Sequence, residues 1–198
     1  MHISVDRIEV ERNGKVIFSE LSFKLKEKQL LYITGPNGSG KSTLLRTISG
    51  LIKPTIGKIE IIPDHPRPYV YSGHQDSLKN ELTVEQSIMF WSKVYNYVLH
   101  SDAIINKMGL TDVRHVPIRA LSAGWRKRVG ISRLALSSSP IWLLDEPYAS
   151  LDNRNIVFIE DLIEQHIQNN GLALIATHQL GSLCPTQNIE MQDYGFTI

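Results

Sequence analysis

The sequence has little cysteine and no long apolar segment. Cys184 is the one cysteine among 198 residues, so no disulfide can form within the chain, and we expect a protein of the reducing cytosol. No apolar run approaches the roughly 20 residues that a membrane-spanning helix needs. The charge at Asp6 interrupts the N-terminus early, so we also expect no signal peptide. If this protein works at a membrane, another chain must supply the membrane part.

The chain also lacks an excess of charge of either sign. Lys and Arg number 21 and Asp and Glu number 20, which gives a formal net charge of +1. A basic surface is the usual electrostatic sign of a nucleic-acid partner, so we expect no such partner. The hydrophobic share of 42% is ordinary for a globular protein with a core. The length indicates one domain, or one domain with a small lobe.

One short segment has the pattern of a phosphate-binding loop. The match covers eight residues: Gly35, Pro36, Asn37, Gly38, Ser39, Gly40, Lys41 and Ser42. The glycines allow backbone N–H groups to point at phosphate oxygens, and a following helix places its positive end there. We predict that Lys41 reaches the β- and γ-phosphates of ATP, that Ser42 ligates Mg²⁺, and that Thr43 contacts phosphate. A glycine-rich turn that matches by chance is the alternative, but an apolar strand precedes the segment and a helix follows it.

Two acids, Asp145 and Glu146, follow a second apolar segment at residues 141–144. A buried strand of a parallel sheet would deliver them to its carboxyl end, where ligands bind in such folds. We predict that Asp145 holds Mg²⁺ and that Glu146 is catalytic, polarising the attacking water as general base. Alone, the pair is equally well explained as two surface acids. Beside a phosphate loop, the catalytic interpretation is favoured.

Short apolar segments alternate with helical ones along the chain. Strands are predicted at residues 8–12 and 15–18 around Asn13-Gly14, at 21–25 and 30–34 as a second pair, and at 57–62, 69–71, 141–144 and 172–176. Helices are predicted at residues 41–51, 83–99, 102–108 and 122–137, and after Asp152. The tail is expected to end in β-structure.

The predicted fold class is α/β. We expect a P-loop NTPase core of mostly parallel sheet flanked by helices, a small N-terminal antiparallel β-lobe, and an inserted helical subdomain. The expected division is one domain over residues 1–198. The core and β-lobe occupy residues 1–82 and 138–198, and the helical subdomain occupies residues 83–137.

Further segments resemble, in their order, the motifs of ATP-binding cassette proteins. Residues 121–124 resemble the signature motif, residues 145–147 and 150–152 resemble the Walker B motif and the D-loop, and residues 177–178 resemble the switch histidine. Gln75 stands at the position of the Q-loop glutamine. The resemblance implies a head-to-tail pair of two copies, with ATP between the phosphate loop of one and Ser122, Ala123 and Gly124 of the other. It further implies that Gln75 contacts ATP and Mg²⁺, and that His178 is catalytic through the γ-phosphate.

Two residues depart from the family pattern. Trp125 stands where the family has Gln, and Arg12 lies near the position of an aromatic residue that stacks on adenine. A guanidinium can also stack on a base, but adenine binding is expected to be weaker. The interval from Lys41 to Gln75 is short, so we expect a trimmed β-lobe.

The segment at residues 73–86, followed by Phe90-Trp91, is similar to the ATP-binding subunit of the bacterial cytochrome c maturation system, the haem exporter. This resemblance implies a peripheral protein on the cytoplasmic face of the inner membrane. It implies docking to an integral membrane subunit through the groove around Gln75 and the following helix. ATP hydrolysis would then be coupled to haem handling and to release of a haem-loaded periplasmic chaperone. Cys184 could ligate haem as thiolate, but an ordinary loop cysteine is the favoured interpretation.

Three alternatives stay open on the sequence. The chain could be the ATPase subunit of another cassette transporter. It could be a soluble cassette ATPase acting on DNA or ribosomes, although such proteins usually have two cassettes or a coiled-coil insertion, and neither is visible. It could also be a nucleotide-gated subunit with little catalysis, which Trp125 and Arg12 motivate.

Overall fold

A computed structural model gives the structure of the chain and describes residues 1–62, 67–73, 77–96 and 101–195. The N-terminal part forms a three-stranded antiparallel sheet with β1 (His2–Arg12) between β2 (Lys15–Lys26) and β4 (Ile56–Ile62). Asn13 and Gly14 connect β1 to β2 with φ values of 52° and 74°, as a tight hairpin turn requires. The predicted antiparallel β-lobe is thereby confirmed.

The predicted pairing of residues 21–25 with residues 30–34 is wrong. Residues 21–25 continue β2 and pair with β1, because β2 passes through an irregular register near Glu20, whose φ is 54°. Residues 30–34 form β3 (Leu30–Thr34) in the other sheet. The strands predicted at residues 15–18 and 21–25 are therefore one strand, β2, with a bulge between them.

The second sheet is parallel and has five strands in the order β5, β6, β7, β3, β8. Its further members are β5 (Tyr69–Ser72), β6 (Ile141–Asp145), β7 (Leu172–Ala176) and β8 (Gln187–Glu190). Every residue of β6 and β7 is buried, as predicted for strands covered on both faces. Because β3, β6 and β7 are parallel neighbours, the loops that follow them lie at one edge of the sheet.

Five α-helices within the described residues complete the fold. They are α1 (Lys41–Ile48), α2 (Val84–Tyr95), α3 (Ser101–Lys107), α4 (Ala123–Leu136) and α5 (Asn153–Gln168). The caps explain their starts: Thr83 forms a capping box with Gln86 before α2, and the Asp152 carboxylate accepts from the Asn155 amide at 2.9 Å before α5. Helix α2 ends at Tyr95 and is followed by Asn96, whose φ of 53° is left-handed. The rest of the predicted helix at residues 83–99 lies outside the described residues. None of the helices in the described ranges is long and apolar enough to cross a membrane.

The parallel sheet separates two buried apolar clusters. On one side Tyr32 packs with residues of α2, α3, α4 and α5. On the other side Leu31 and Ile33 pack with α1 and with the antiparallel sheet. Alternate residues of the same strand thus face different layers. This layered arrangement confirms the predicted α/β fold, with a parallel core, flanking helices and a small antiparallel lobe.

Candidate functional site

The glycine-rich loop connects β3 to α1 at the carboxyl edge of the parallel sheet. Gly40 precedes α1 with a φ of 101°, and a Cβ at this position would lie 2.9 Å from Ile17 Cγ2, so glycine is required for both conformation and space. The Lys41 side chain is buried, and its Nζ donates to the carbonyl oxygens of Gly35 at 2.8 Å and Pro36 at 3.0 Å. The ammonium group therefore lies inside the curve of the loop.

The loop has the donors that a phosphate group needs. The first N–H groups of α1 have no acceptor within the helix, and the positive helix end is at the same place. The buried Oγ of Ser39 has no hydrogen-bond partner among the described residues. Together with Lys41 Nζ, these groups can bind an anion with several oxygens.

Asp145 lies at the end of β6 and is held from two sides. The residue is 1% exposed, its Oδ1 accepts from Ser42 Oγ at 2.8 Å, and its Oδ2 accepts from the Tyr71 hydroxyl at 3.0 Å. Burial raises the pKa of Tyr71, so its hydroxyl stays protonated and donates. Ser42 and Asp145 thus bring two oxygen ligands together, as a hard cation such as Mg²⁺ requires.

Tyr71 was not among the predicted site residues. It lies on β5, which pairs with β6. The sequence contains a signal, because Tyr69 and Tyr71 alternate on a short strand just before Gln75. Using that signal would have required knowledge that β5 and β6 are neighbours.

Glu146 and His178, the two predicted catalytic residues, are in contact. They come from the loops after β6 and β7, and Glu146 Oε2 lies 2.9 Å from His178 Nδ1. The other oxygen, Oε1, lies 3.9 Å from Lys41 Nζ. The structure therefore brings the phosphate loop, the acid and the histidine together.

The backbone of Glu146 has an unusual conformation, with a φ of 51°. A left-handed conformation is costly for a residue other than glycine and persists only when neighbouring contacts hold it. Two contacts do so here. The Glu146 amide donates to the Ala176 carbonyl at 2.8 Å, and the Glu146 carbonyl accepts from Lys127 Nζ at 3.3 Å. Lys127, a buried residue of α4, was not predicted as a site residue.

The phosphate loop, Glu146 and His178 border a cleft of 540 Å³. Its lining residues are Arg12, Ile17, Asn37, Gly38, Gly40, Lys41, Ser42, Thr43, Glu146, Ala149 and His178. Arg12 thus lies beside the phosphate loop, on the wall that the antiparallel sheet contributes. Gln75, a predicted ligand of ATP and Mg²⁺, lies outside the described residues.

The predicted signature residues stand apart from this cleft. Ser122 caps α4 by accepting from the Trp125 amide at 3.5 Å, and Ala123 and Gly124 form the first turn. All three are accessible or half-accessible and are not among the described residues that line the cleft. A Cβ on Gly124 would lie 2.5 Å from Asn155 Nδ2, so α4 and α5 approach closely at this point.

The sequence profile of the ABC transporter family matches residues 18–149, which is more than half of the chain. The chain belongs to the ABC transporter family, in its ATP-binding part. It is 36% identical to the cytochrome c biogenesis ATP-binding export protein CcmA of Wolbachia pipientis wMel, over 97% of both chains. It is also 36% identical to the protein of that name from Agrobacterium fabrum, over 98% of this chain and 97% of the relative.

The fold has a matching solved structure as well. A structure from Pyrococcus furiosus, described as an ABC transporter ATP-binding protein, superposes with a TM-score of 0.87. The two sequences are 20% identical, and the superposition covers 99% of this chain and 100% of the Pyrococcus furiosus chain. This likeness supports the fold, and the sequence relatives confirm the predicted resemblance to the cytochrome c maturation subunit.

Proposed function

We propose that the chain is the ATP-hydrolysing subunit of an ABC-type membrane complex that serves cytochrome c biogenesis. The observation that carries this proposal is the contact between Glu146 and His178 beside Lys41. It occurs in a chain that resembles CcmA proteins over nearly its whole length. An acid and a histidine placed together at a phosphate loop are suited to phosphoryl transfer to water.

In this proposal the phosphate loop binds ATP. Backbone N–H groups of the loop donate to the phosphates, and Lys41 exchanges its two loop carbonyls for phosphate oxygens. Ser42 and Asp145, together with Gln75, supply oxygen ligands for Mg²⁺, which neutralises phosphate charge when it is bound. Arg12 borders the cleft where the adenine would lie and provides a planar cation for stacking on it.

Glu146 is the proposed general base. Its carboxylate is only 13% exposed and lies 3.9 Å from Lys41 Nζ, so it is placed to accept a proton from water attacking the γ-phosphate. His178 is the proposed partner that fixes the orientation of Glu146 and contacts the γ-phosphate. Because the histidine bonds the carboxylate directly, its loss should disorient the base.

A second copy of the chain completes the proposed site. Ser122, Ala123 and Gly124 are at the N-terminus of α4, where backbone donors and a positive helix end suit a phosphate. Since they lie outside the cleft of their own chain, they can serve an ATP bound by the partner copy. A twofold axis would then create two equivalent sites.

The proposed location is the cytoplasmic face of the bacterial inner membrane, with an integral membrane subunit as partner. The exposed apolar side chains of α2, namely Met89, Phe90 and Val94, support a docking surface on this helix. We retain the division into a core over residues 1–82 and 138–198 and a helical subdomain over residues 83–137. We propose that ATP turnover is coupled to haem handling and to release of the haem-loaded periplasmic chaperone.

The substitution Glu146→Gln tests the catalytic assignment. Gln keeps the shape but cannot accept the proton, so ATP binding should persist while turnover falls to background. The assay is steady-state ATPase activity of the complex that co-purifies from membranes, with nucleotide affinity measured separately. Glu164→Gln, an exposed acid on α5, is the matched control.

Two outcomes would contradict the proposal. Unchanged hydrolysis by the Glu146→Gln variant would remove the assignment of the base. Recovery of all the protein from the soluble fraction, with no membrane subunit attached, would instead favour a soluble cassette ATPase.

A further inference from the structure

A buried carboxylate outside the cleft holds the loop that carries His178. Glu160 lies in the middle of α5 and is 4% exposed. Its Oε1 accepts from the backbone amides of Ser182 at 2.5 Å and Leu183 at 3.4 Å, and its Oε2 accepts from Ser182 Oγ at 2.5 Å. Three donors from one loop therefore converge on a single side chain.

The glycine at position 181 makes this contact possible. A Cβ on Gly181 would lie 1.9 Å from Glu160 Oε1 and 3.3 Å from Tyr148 Cε2. No side chain could be accommodated without moving the carboxylate. The carboxylate of Glu160 therefore occupies space that is free only because residue 181 is glycine.

The same loop is fixed at its other end by Thr177, whose amide donates to the Ile33 carbonyl at 3.0 Å and whose hydroxyl donates to Glu146 Oε2 at 3.4 Å. The Thr177 hydroxyl donates to the Gln179 carbonyl at 2.8 Å and accepts from the Gln179 amide at 3.0 Å. Between these anchors, His178 and Leu180 are exposed to solvent. His178 contacts Glu146 Oε2 with its backbone amide at 3.4 Å and with its Nδ1 at 2.9 Å. Because its side chain is exposed, keeping this geometry depends on how the two ends of the loop are held.

We propose that Glu160 is a positioning residue that acts on the reaction through His178. This inference rests on the catalytic role proposed for His178 above. Tyr148, two residues after Glu146, packs at Gly181. Glu160 thus fixes the histidine loop at the point where that loop meets the segment following the general base. Loss of the carboxylate releases three donors and allows His178 to move away from Glu146.

The experiment is a double-mutant cycle between Glu160→Ala and His178→Ala, measured as ATP turnover of the complex with its membrane partner. Misplacement of a catalytic group by about 1 Å can reduce turnover by up to 100-fold. We expect Glu160→Ala to lower kcat at least tenfold with less than a twofold change in KM. In the His178→Ala background the same substitution should have no further effect.

Two additional variants separate positioning from general stability. Glu160→Gln keeps an oxygen for the two amides, and its NH₂ group can donate to the Ser182 hydroxyl, which can act as acceptor. This variant should therefore recover most of the turnover. Glu164→Ala, one turn later on α5 and exposed, should leave turnover unchanged. Hydrogen exchange of the amides of Ser182 and Leu183 should be faster in Glu160→Ala than in Glu164→Ala.

The possible results distinguish this inference from the function on which it rests. If His178→Ala lowers turnover but Glu160→Ala lowers it equally in both backgrounds, the positioning role is refuted and the catalytic role of His178 stands. The same conclusion follows if Glu160→Ala has no effect alone. If His178→Ala leaves turnover unchanged, the role of the histidine is refuted, and the inference about Glu160 fails with it.

Discussion

Removal of the Tyr71 hydroxyl should destabilise the fold more than removal of a comparable hydroxyl on the same strand. Tyr71 donates to a carboxylate oxygen of Asp145, a residue that is only 1% exposed, so water cannot replace the lost donor. A hydrogen bond to a charged group contributes about 1.5–3 kcal/mol. Tyr69, two residues earlier, donates instead to the neutral carbonyl of Ser49. Such a bond contributes about 0.5–1.5 kcal/mol.

Tyr71→Phe should therefore lower the free energy of unfolding by about 2 kcal/mol, and Tyr69→Phe by about 1 kcal/mol. Urea denaturation followed by circular dichroism measures both values. Tyr71→Phe should also raise the Mg²⁺ concentration needed for half-maximal ATP binding, because one oxygen of Asp145 loses its fixed orientation. Tyr69→Phe should leave that concentration unchanged. Equal urea midpoints and equal Mg²⁺ dependence in the two variants would refute the reasoning.

Two other predictions concern groups that the sequence did not single out. Lys127→Met removes the donor to the Glu146 carbonyl while keeping an unbranched apolar stem. Because this donor helps to hold the left-handed backbone of Glu146, the variant should have a severalfold lower kcat with ATP affinity preserved. An unchanged kcat would show that the φ of 51° at Glu146 needs no support from α4. Burial lowers the pKa of His166, which stacks on Trp142 at 3.9 Å, from 6.5 to about 4. Between these values the unfolded chain binds the proton and the folded chain does not, so stability should fall as pH decreases from 6.5 to about 4. His166→Phe keeps the stacking and should show a smaller fall in urea midpoint between pH 7 and pH 4.5; equal falls would contradict the assignment.

Features encoded by adjacent residues were predictable from the sequence. The eight-residue loop, the strand leading to Asp145, the start of a helix at Ser122 and the cap at Asp152 each depend on a few neighbouring positions. The structure has these features where they were predicted, with Ser122 as the residue that caps α4. Local rules such as glycine conformation and side-chain capping determine them. The alternation of strands and helices along the chain was then enough to predict the α/β fold.

Contacts between distant residues could not be predicted in the same way. The bond from Tyr71 to Asp145 spans 74 positions, and the bond from Glu160 to Ser182 spans 22. Each depends on which strands and helices become neighbours, and on the rotamer that each side chain then adopts. The extension of β2 past Glu20 was missed for a related reason, since a bulge interrupts the alternation from which strands are recognised.

The position of Lys41 has a consequence for how tightly the loop can bind a phosphate group. Because its ammonium group bridges two carbonyl oxygens of the loop, the chain itself determines the curvature that a phosphate group would otherwise have to impose. Preorganisation of this kind lowers the entropic cost of binding, because the loop is already ordered before the ligand arrives. Binding then becomes an exchange of partners at one nitrogen atom. In the proposed dimer, the free energy of the phosphate contacts would remain available to favour association with the second copy of the chain.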